Sequence, residues 1–343
     1  MNQSWGLHFL FRPPAFRGIT RYHLSLTDQA LPNIRMAPLK ENNKSKVIRS
    51  KLLVATTLLI ATIWVAANFL DLSGVVAALA SLPAQTAVVV FSLGATSWVL
   101  RGLRTWMLFE QLSLREALGM SFIHNTANNL APMRLGELAL PVLARWLGNV
   151  DFSIGLTSLL WVRFLDLISL IGVSICIVFL PTAGAVMLAL LAVFIFLAPL
   201  LIAIVIPKTQ QIRLPQILEQ ARDQLIYEAQ AGTRLHRLWR LTILAWLSKI
   251  LGMCVLLATL SGIPMADVTT TILGAELSSI LPIHGLAGAG SYEAGGVIGS
   301  ALTGVPPIIA LEMTIQLHIY VLSLTAVFGI LGCLLLLKRT LNG

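Results

Sequence analysis

Residues 128–137 read NNLAPMRLGE, which sets Arg134 and Glu137 three residues apart, with Asn128 and Asn129 ahead of them and Pro132 and Gly136 in between. A guanidinium takes a phosphate or carboxylate in a two-pronged fork. Amides add neutral donors, and glycine lets a backbone turn and bring its N–H groups up to a ligand. Together these residue types suit capture of an anion. A second set follows about 150 residues later in LPIHGLAGAGSYEAGG (281–296), with Pro282, His284, Gly285, Gly288, Gly290 and Glu293.

Both sets interrupt long apolar runs. With 57% apolar and 11% charged residues, the chain lies far outside the range of a soluble domain and reads as an all-α polytopic membrane protein. The net charge of +9 does not point to nucleic acid, because the basic residues cluster beside apolar runs, where the positive-inside rule accounts for them. Cys176, Cys254 and Cys333 are far apart inside apolar stretches, so they read as core filler, with no disulfide framework, metal site or cofactor implied.

The spans must position the two sets. Residues 1–50 form a basic tail, expected to be cytoplasmic and disordered, in which GLHFLF is cut short by Arg12, Pro13 and Pro14 and cannot serve as a signal-peptide core. Either Met1 or Met36 fits as the start. Apolar windows of spanning length cover 52–70, 84–100, 152–180, 184–206, 239–260 and 308–337. Arg101, Arg104 and Arg115 mark a cytoplasmic return after the second. Lys208, Arg213, Arg222, Arg234 and Arg237 mark a cytoplasmic loop at 207–237, and Lys338 and Arg339 a cytoplasmic C-terminus. About six full transmembrane helices result, with both termini inside a cell (inner, cytoplasmic) membrane.

Segments 113–148 and 266–304 are not simple spans. Each has helix-like runs around a Gly/Pro break, and bare backbone in lipid costs several kcal/mol per unsatisfied group, so each break must line a cavity or be buried in protein. Parity makes the first begin and end inside and the second outside. They are expected to be two inverted re-entrant helical hairpins, an arrangement in which interrupted segments point to the binding site. The candidate substrate-binding residues are therefore Asn128, Asn129, Pro132, Arg134, Gly136, Glu137, Pro282, His284, Gly288, Gly290 and Glu293. The alternative for Arg134 is snorkelling to the interface, since an arginine at the bilayer centre costs about 2.5–3.5 kcal/mol on insertion scales.

Other intramembrane polar residues need partners. Arg163 and Asp166, at i and i+3, are expected to pair as a structural clamp. Lys249 and Glu312 each require a partner or a wet cavity, Glu276 stands just before the second break, and His124 and His318 read as hydrogen-bonded core histidines.

The paired motifs NNLAPMRLGE and LPIHGLAGAGSYEAGG, with WVRFLDL between them, resemble those of the lysylphosphatidylglycerol synthase transmembrane-region family, over residues 50–338. That family includes the flippase half of the multiple peptide resistance factor and stand-alone bacterial membrane proteins. The resemblance implies a lipid translocase moving phospholipid, or a related anionic or aminoacylated amphiphile, between leaflets. Two departures concern the head group. The family often has a basic residue soon after the first glutamate, where this chain has only Arg145, and an arginine on the last helix, where it has His318.

The sequence ends at Gly343, six residues past the last apolar run, so a stand-alone translocator or accessory factor is expected, not a fused aminoacyltransferase. Its partners would be membrane phospholipids and a separate lipid-modifying enzyme. The competing class is an intramembrane enzyme acting on lipid phosphates, which wants clustered carboxylates for a metal or a nucleophile beside a base. Each break supplies one glutamate, Ser291 is the hydroxyl near Glu293, and no Asp-rich motif appears, so a non-enzymatic role is expected.

Overall fold

The computed structural model describes residues 72–211, 216–280 and 285–340, together with Ile60. The basic tail, the first expected span (52–70), Pro282 and His284 lie outside them. Among the described residues all regular structure is helical.

Helix α1 (Leu72–Ala80) leads through Pro83 into α2 (Ala84–Leu108). α2 continues past the expected end at residue 100 and takes Arg101 and Arg104 inside the helix. Ser113 starts α3 (Leu114–Leu130) with a capping box: its Oγ accepts from the Glu116 N–H at 3.3 Å, and Glu116 Oε2 accepts from its own N–H at 3.0 Å. α3 stops where Ala131 turns extended ahead of Pro132, the conformation that proline imposes on its predecessor. A 3₁₀ segment (Pro132–Leu138) follows, with Met133 and Arg134 left-handed (φ 53° and 57°), and then α4 (Ala139–Gly148).

α5 (Phe152–Ala183) and α6 (Ala185–Lys208) come next. α6 bends by 43° near residue 196. Pro199 cannot donate to the Ile195 carbonyl, and the indole of Trp239 donates to that oxygen instead, at 3.0 Å. The expected polar loop at 207–237 is largely helical, with α7 (Gln216–Ala229) and an α8 (Thr233–Ser261) that begins before residue 239. Gly262 ends α8 in the left-handed region (φ 67°). The second broken segment consists of α9 (Met265–Ser278), a 3₁₀ turn (Leu286–Gly288) and α10 (Ser291–Ser300), and α11 (Pro307–Thr340) closes the described chain.

Four described helices are long and apolar enough to cross a membrane: Ala84–Leu108, Phe152–Cys176, Thr233–Ser261 and Pro307–Leu337. The bent α6 makes a fifth if its two halves count as one span. The chain is therefore a membrane protein with four to five spans among the described residues, against the six expected over the whole sequence.

α8 lies along α2, and α3 runs along both α11 and α2. In the second broken segment α9 and α10 pack face to face through Gly274, Gly295 and Gly299, where an added Cβ would strike the opposite backbone. Trp161, Trp239, Met120 and Ile243 are buried at the centre, while Leu188, Leu201 and Ile204 of α6 face outward. Cys176 and Cys254 are buried as expected of core filler. Cys333 is exposed on α11, because it lies on a face that no described helix covers.

Candidate functional site

The two breaks touch each other. Arg134 projects from the first and donates through Nη1 to the Ile280 carbonyl at 2.6 Å, just past the end of α9, where helix carbonyls lack intrahelical partners. Its other terminal nitrogen pairs with Glu137. Glu137 Oε2 in turn accepts from Arg163 Nε of α5 at 2.8 Å. With its amide oriented to satisfy both ends, Asn128 donates to Glu137 Oε1 at 3.3 Å and accepts from Arg163 Nη2 at 3.2 Å. Arg134 thus ties the first break to the second. Two consecutive left-handed non-glycine residues cost on the order of 1 kcal/mol each, and this web of contacts holds them there.

Asp166 collects the cations beneath. Arg104 donates to its two oxygens at 2.6 and 3.3 Å, Trp246 Nε1 donates at 3.0 Å, and Arg101 and Arg163 both stand at 3.7 Å. The expected i, i+3 ion pair of Arg163 and Asp166 is present at 3.7 Å, but each residue has a closer partner, Glu137 for Arg163 and Arg104 for Asp166, because α2 and the first break bring those groups nearer than the i, i+3 spacing does.

Glu276 on α9 bridges two more helices. It accepts from Lys249 Nζ of α8 at 2.6 Å and from the Tyr292 hydroxyl of α10 at 3.2 Å. His318 on α11 holds the second break. A carbonyl can only accept, so Nε2 donates to Ala287 at 2.7 Å; Nδ1 then faces Glu293 Oε1 at 2.5 Å, a contact that requires a further proton between the two atoms. Glu293 Oε2 accepts from the Gly290 N–H at 2.7 Å and so caps α10.

Where these elements meet there is a cavity of about 300 Å³. Arg101, Arg134, Arg163 and Lys249 line it, with Asp166 and Glu276 as the lining carboxylates among the described residues. Trp98, Phe164, Leu167, Met253 and Leu324 supply apolar lining.

Of the residues expected from sequence, Asn128, Asn129 and Arg134 reach this cavity, although Asn129 also anchors α3 to α11 through Thr325 Oγ1 at 2.8 Å. Pro132 and Gly136 shape the break. A Cβ on Gly136 would collide with the Ala127 carbonyl. Gly288 and Gly290 adopt φ of 87° and 88°, and turn the second break. Glu137 stands behind the wall. Glu293 is a correction: it is buried against His318 and the α10 N-terminus, away from the cavity, because its own helix end and α11 claim both oxygens. Among the described residues, Glu312 accepts from Gln316 at 3.4 Å, and His124 is buried with its Nδ1 unpartnered.

Sequence reasoning missed Arg101 and Arg104 by taking them as a basic flank. Arg104 is only 5% exposed and belongs to the buried cluster, and Arg101 lines the cavity with its guanidinium 4.8 Å from the Trp246 ring centre. Their i, i+3 spacing on a helix that continues apolar to Leu108 is the signal that could have found them.

The family model described as "Lysylphosphatidylglycerol synthase TM region" matches residues 51–331. Comparison with the curated proteins and with the solved structures finds no match.

Proposed function

Because the chain belongs to the lysylphosphatidylglycerol synthase TM region family, whose name ties it to membrane lipid, we propose that it is a lipid translocase. It moves phospholipid, or a related anionic or aminoacylated amphiphile, between the leaflets of the cytoplasmic membrane. The observation that carries this reading is the contact of the two breaks through Arg134, on the wall of a cavity lined by both cationic and apolar side chains. A lipid needs both kinds of contact. In this reading the broken segments re-enter from opposite faces, and Arg134 passes between the Ile280 carbonyl and a lipid phosphate as one hairpin moves against the other. Six spans, cytoplasmic termini and a separate lipid-modifying enzyme as the source of substrate complete the proposal. No chemical step is assigned to the chain.

The test is leaflet exchange of labelled phospholipid by the purified chain in liposomes, with phosphate release followed in parallel. Arg134→Ala should lower exchange at least about tenfold, and Arg134→Lys should fall between, since it keeps the charge without the fork. Both should purify folded, because Arg163 still partners Glu137 when Arg134 is lost. Exchange by Arg134→Ala at the parent rate makes the arginine structural, and phosphate release without exchange transfers the chain to the enzymes.

A further inference from the structure

The charges around the cavity are unequal. Among the described residues, Arg101, Arg104, Arg134, Arg163 and Lys249 face Asp166, Glu137 and Glu276, which leaves two positive charges in excess. What remains available differs still more. Both oxygens of each carboxylate already accept: Asp166 from Arg104 and Trp246, Glu137 from Arg134 and Arg163, and Glu276 from Lys249 and Tyr292. Among the described residues, every carboxylate at the wall is thus already engaged by a cation of this chain, which an ammonium group would have to share or displace.

The cations, by contrast, keep donors in reserve. Arg134 Nε is buried without a partner among the described residues. Arg101 lines the cavity, stands 3.7 Å from Asp166 and lies over the Trp246 ring, with no side-chain hydrogen bond among the described residues. A phosphate diester brings two acceptor oxygens and one negative charge, and suits these donors. A head group with an added ammonium would set a cation against Arg101 and Lys249 and would have to compete with this chain's own cations for Asp166, Glu137 and Glu276.

From this we propose that the site selects lipids whose head group is anionic and carries no amine, such as a glycerol-phosphate diester, and rejects aminoacylated and zwitterionic lipids. The inference rests on the translocase reading of the same cavity and narrows it. The apolar lining, with Trp98, Phe164 and Leu324, favours a lipid over a free phosphate.

Binding and exchange separate the two ideas. The full chain in nonionic detergent is titrated with phosphatidylglycerol, lysylphosphatidylglycerol, phosphatidylethanolamine and glycerol 3-phosphate, with bound lipid read by native mass spectrometry. The same lipids are followed for exchange in liposomes. Phosphatidylglycerol should bind about tenfold or more tightly than either amine-bearing lipid, the ratio expected for one unfavourable charge contact of about 1.4 kcal/mol. Arg101→Gln should reduce that preference. Lys249→Met frees a Glu276 oxygen and should shift it towards lysylphosphatidylglycerol. Equal or tighter binding of the amine-bearing lipids, no binding of phosphatidylglycerol, or displacement of it by glycerol 3-phosphate at like concentration overturns the inference, whatever the exchange assay shows. Selective binding of phosphatidylglycerol with no exchange supports it and overturns the translocase reading instead.

Discussion

Removing Asp166 should destabilise the fold, and the identity of the rescuing partner tests how the buried charges are paired. Asp166 is 4% exposed, accepts from Arg104 at 2.6 and 3.3 Å and from Trp246 at 3.0 Å, and stands 3.7 Å from Arg101 and Arg163. Asp166→Ala leaves Arg104 inside the protein with the Thr242 hydroxyl, at 3.1 Å, as its remaining bonded neighbour. Uncompensated buried charges of this kind cost about 3–5 kcal/mol. Replacing both partners by apolar residues removes the stranded charge, so Arg104→Met with Asp166→Leu should recover most of the loss, a coupling of about 2–3 kcal/mol. Arg163 is bonded to Glu137 and is 26% exposed at its side chain, so its coupling to Asp166 should stay below about 1 kcal/mol. Arg163→Leu with Asp166→Leu should therefore remain near the single-mutant level. Reversible unfolding in mixed micelles, taken through the full double-mutant cycles, measures both. Equal rescue by the two double variants would show that Arg104 is not the principal partner and refute the pairing.

Further expectations follow from other parts of the molecule. In a cysteine-free variant of intact cells, Gln230→Cys should be shielded from membrane-impermeant thiol reagents and Met265→Cys should label; the reverse pattern removes the inverted arrangement of the hairpins. His318→Leu leaves Ala287 without its donor and Glu293 without its second partner. Backbone hydrogen exchange at 287–290 should then rise about ten- to a hundredfold, as loss of a charged hydrogen bond predicts, and unchanged protection would show that the break is held otherwise. Burial raises the Glu228 carboxyl above its ordinary value, Arg234 at 3.6 Å offsets this in part and Glu110 adds to it. The folded state thus keeps a proton that the unfolded chain releases, so stability is greatest below the unfolded value and falls as pH rises through the raised one. Glu228→Gln should be more stable than the parent at neutral pH, with the gap closing on acidification towards about pH 4.5; a gap independent of pH contradicts the assignment.

Membrane class, the two breaks and most helix limits were legible in the sequence, because their causes are local. Apolar length sets a span, and a cluster of glycine and proline within an apolar run marks a break. Arg134 could be singled out because a broken backbone, a guanidinium and amides within ten residues have few uses in lipid. Partners were not legible. Arg104 meets Asp166 across 62 residues and Arg134 meets the Ile280 carbonyl across 146, distances over which no sequence period carries information. An arginine after an apolar run looks the same whether it ends a span or is drawn inside by a carboxylate on another helix, which is why Arg101 and Arg104 read as a flank. Glu137 and Glu293 occupy like places in the two motifs, yet one joins the arginine cluster and the other caps its own helix against His318. Sequence determined most of the charges that the membrane region must accommodate, Arg101 and Arg104 excepted. Only the packing of α2, α5, α8 and α11 around the two breaks decided which of them neutralise one another and which are left to face the cavity.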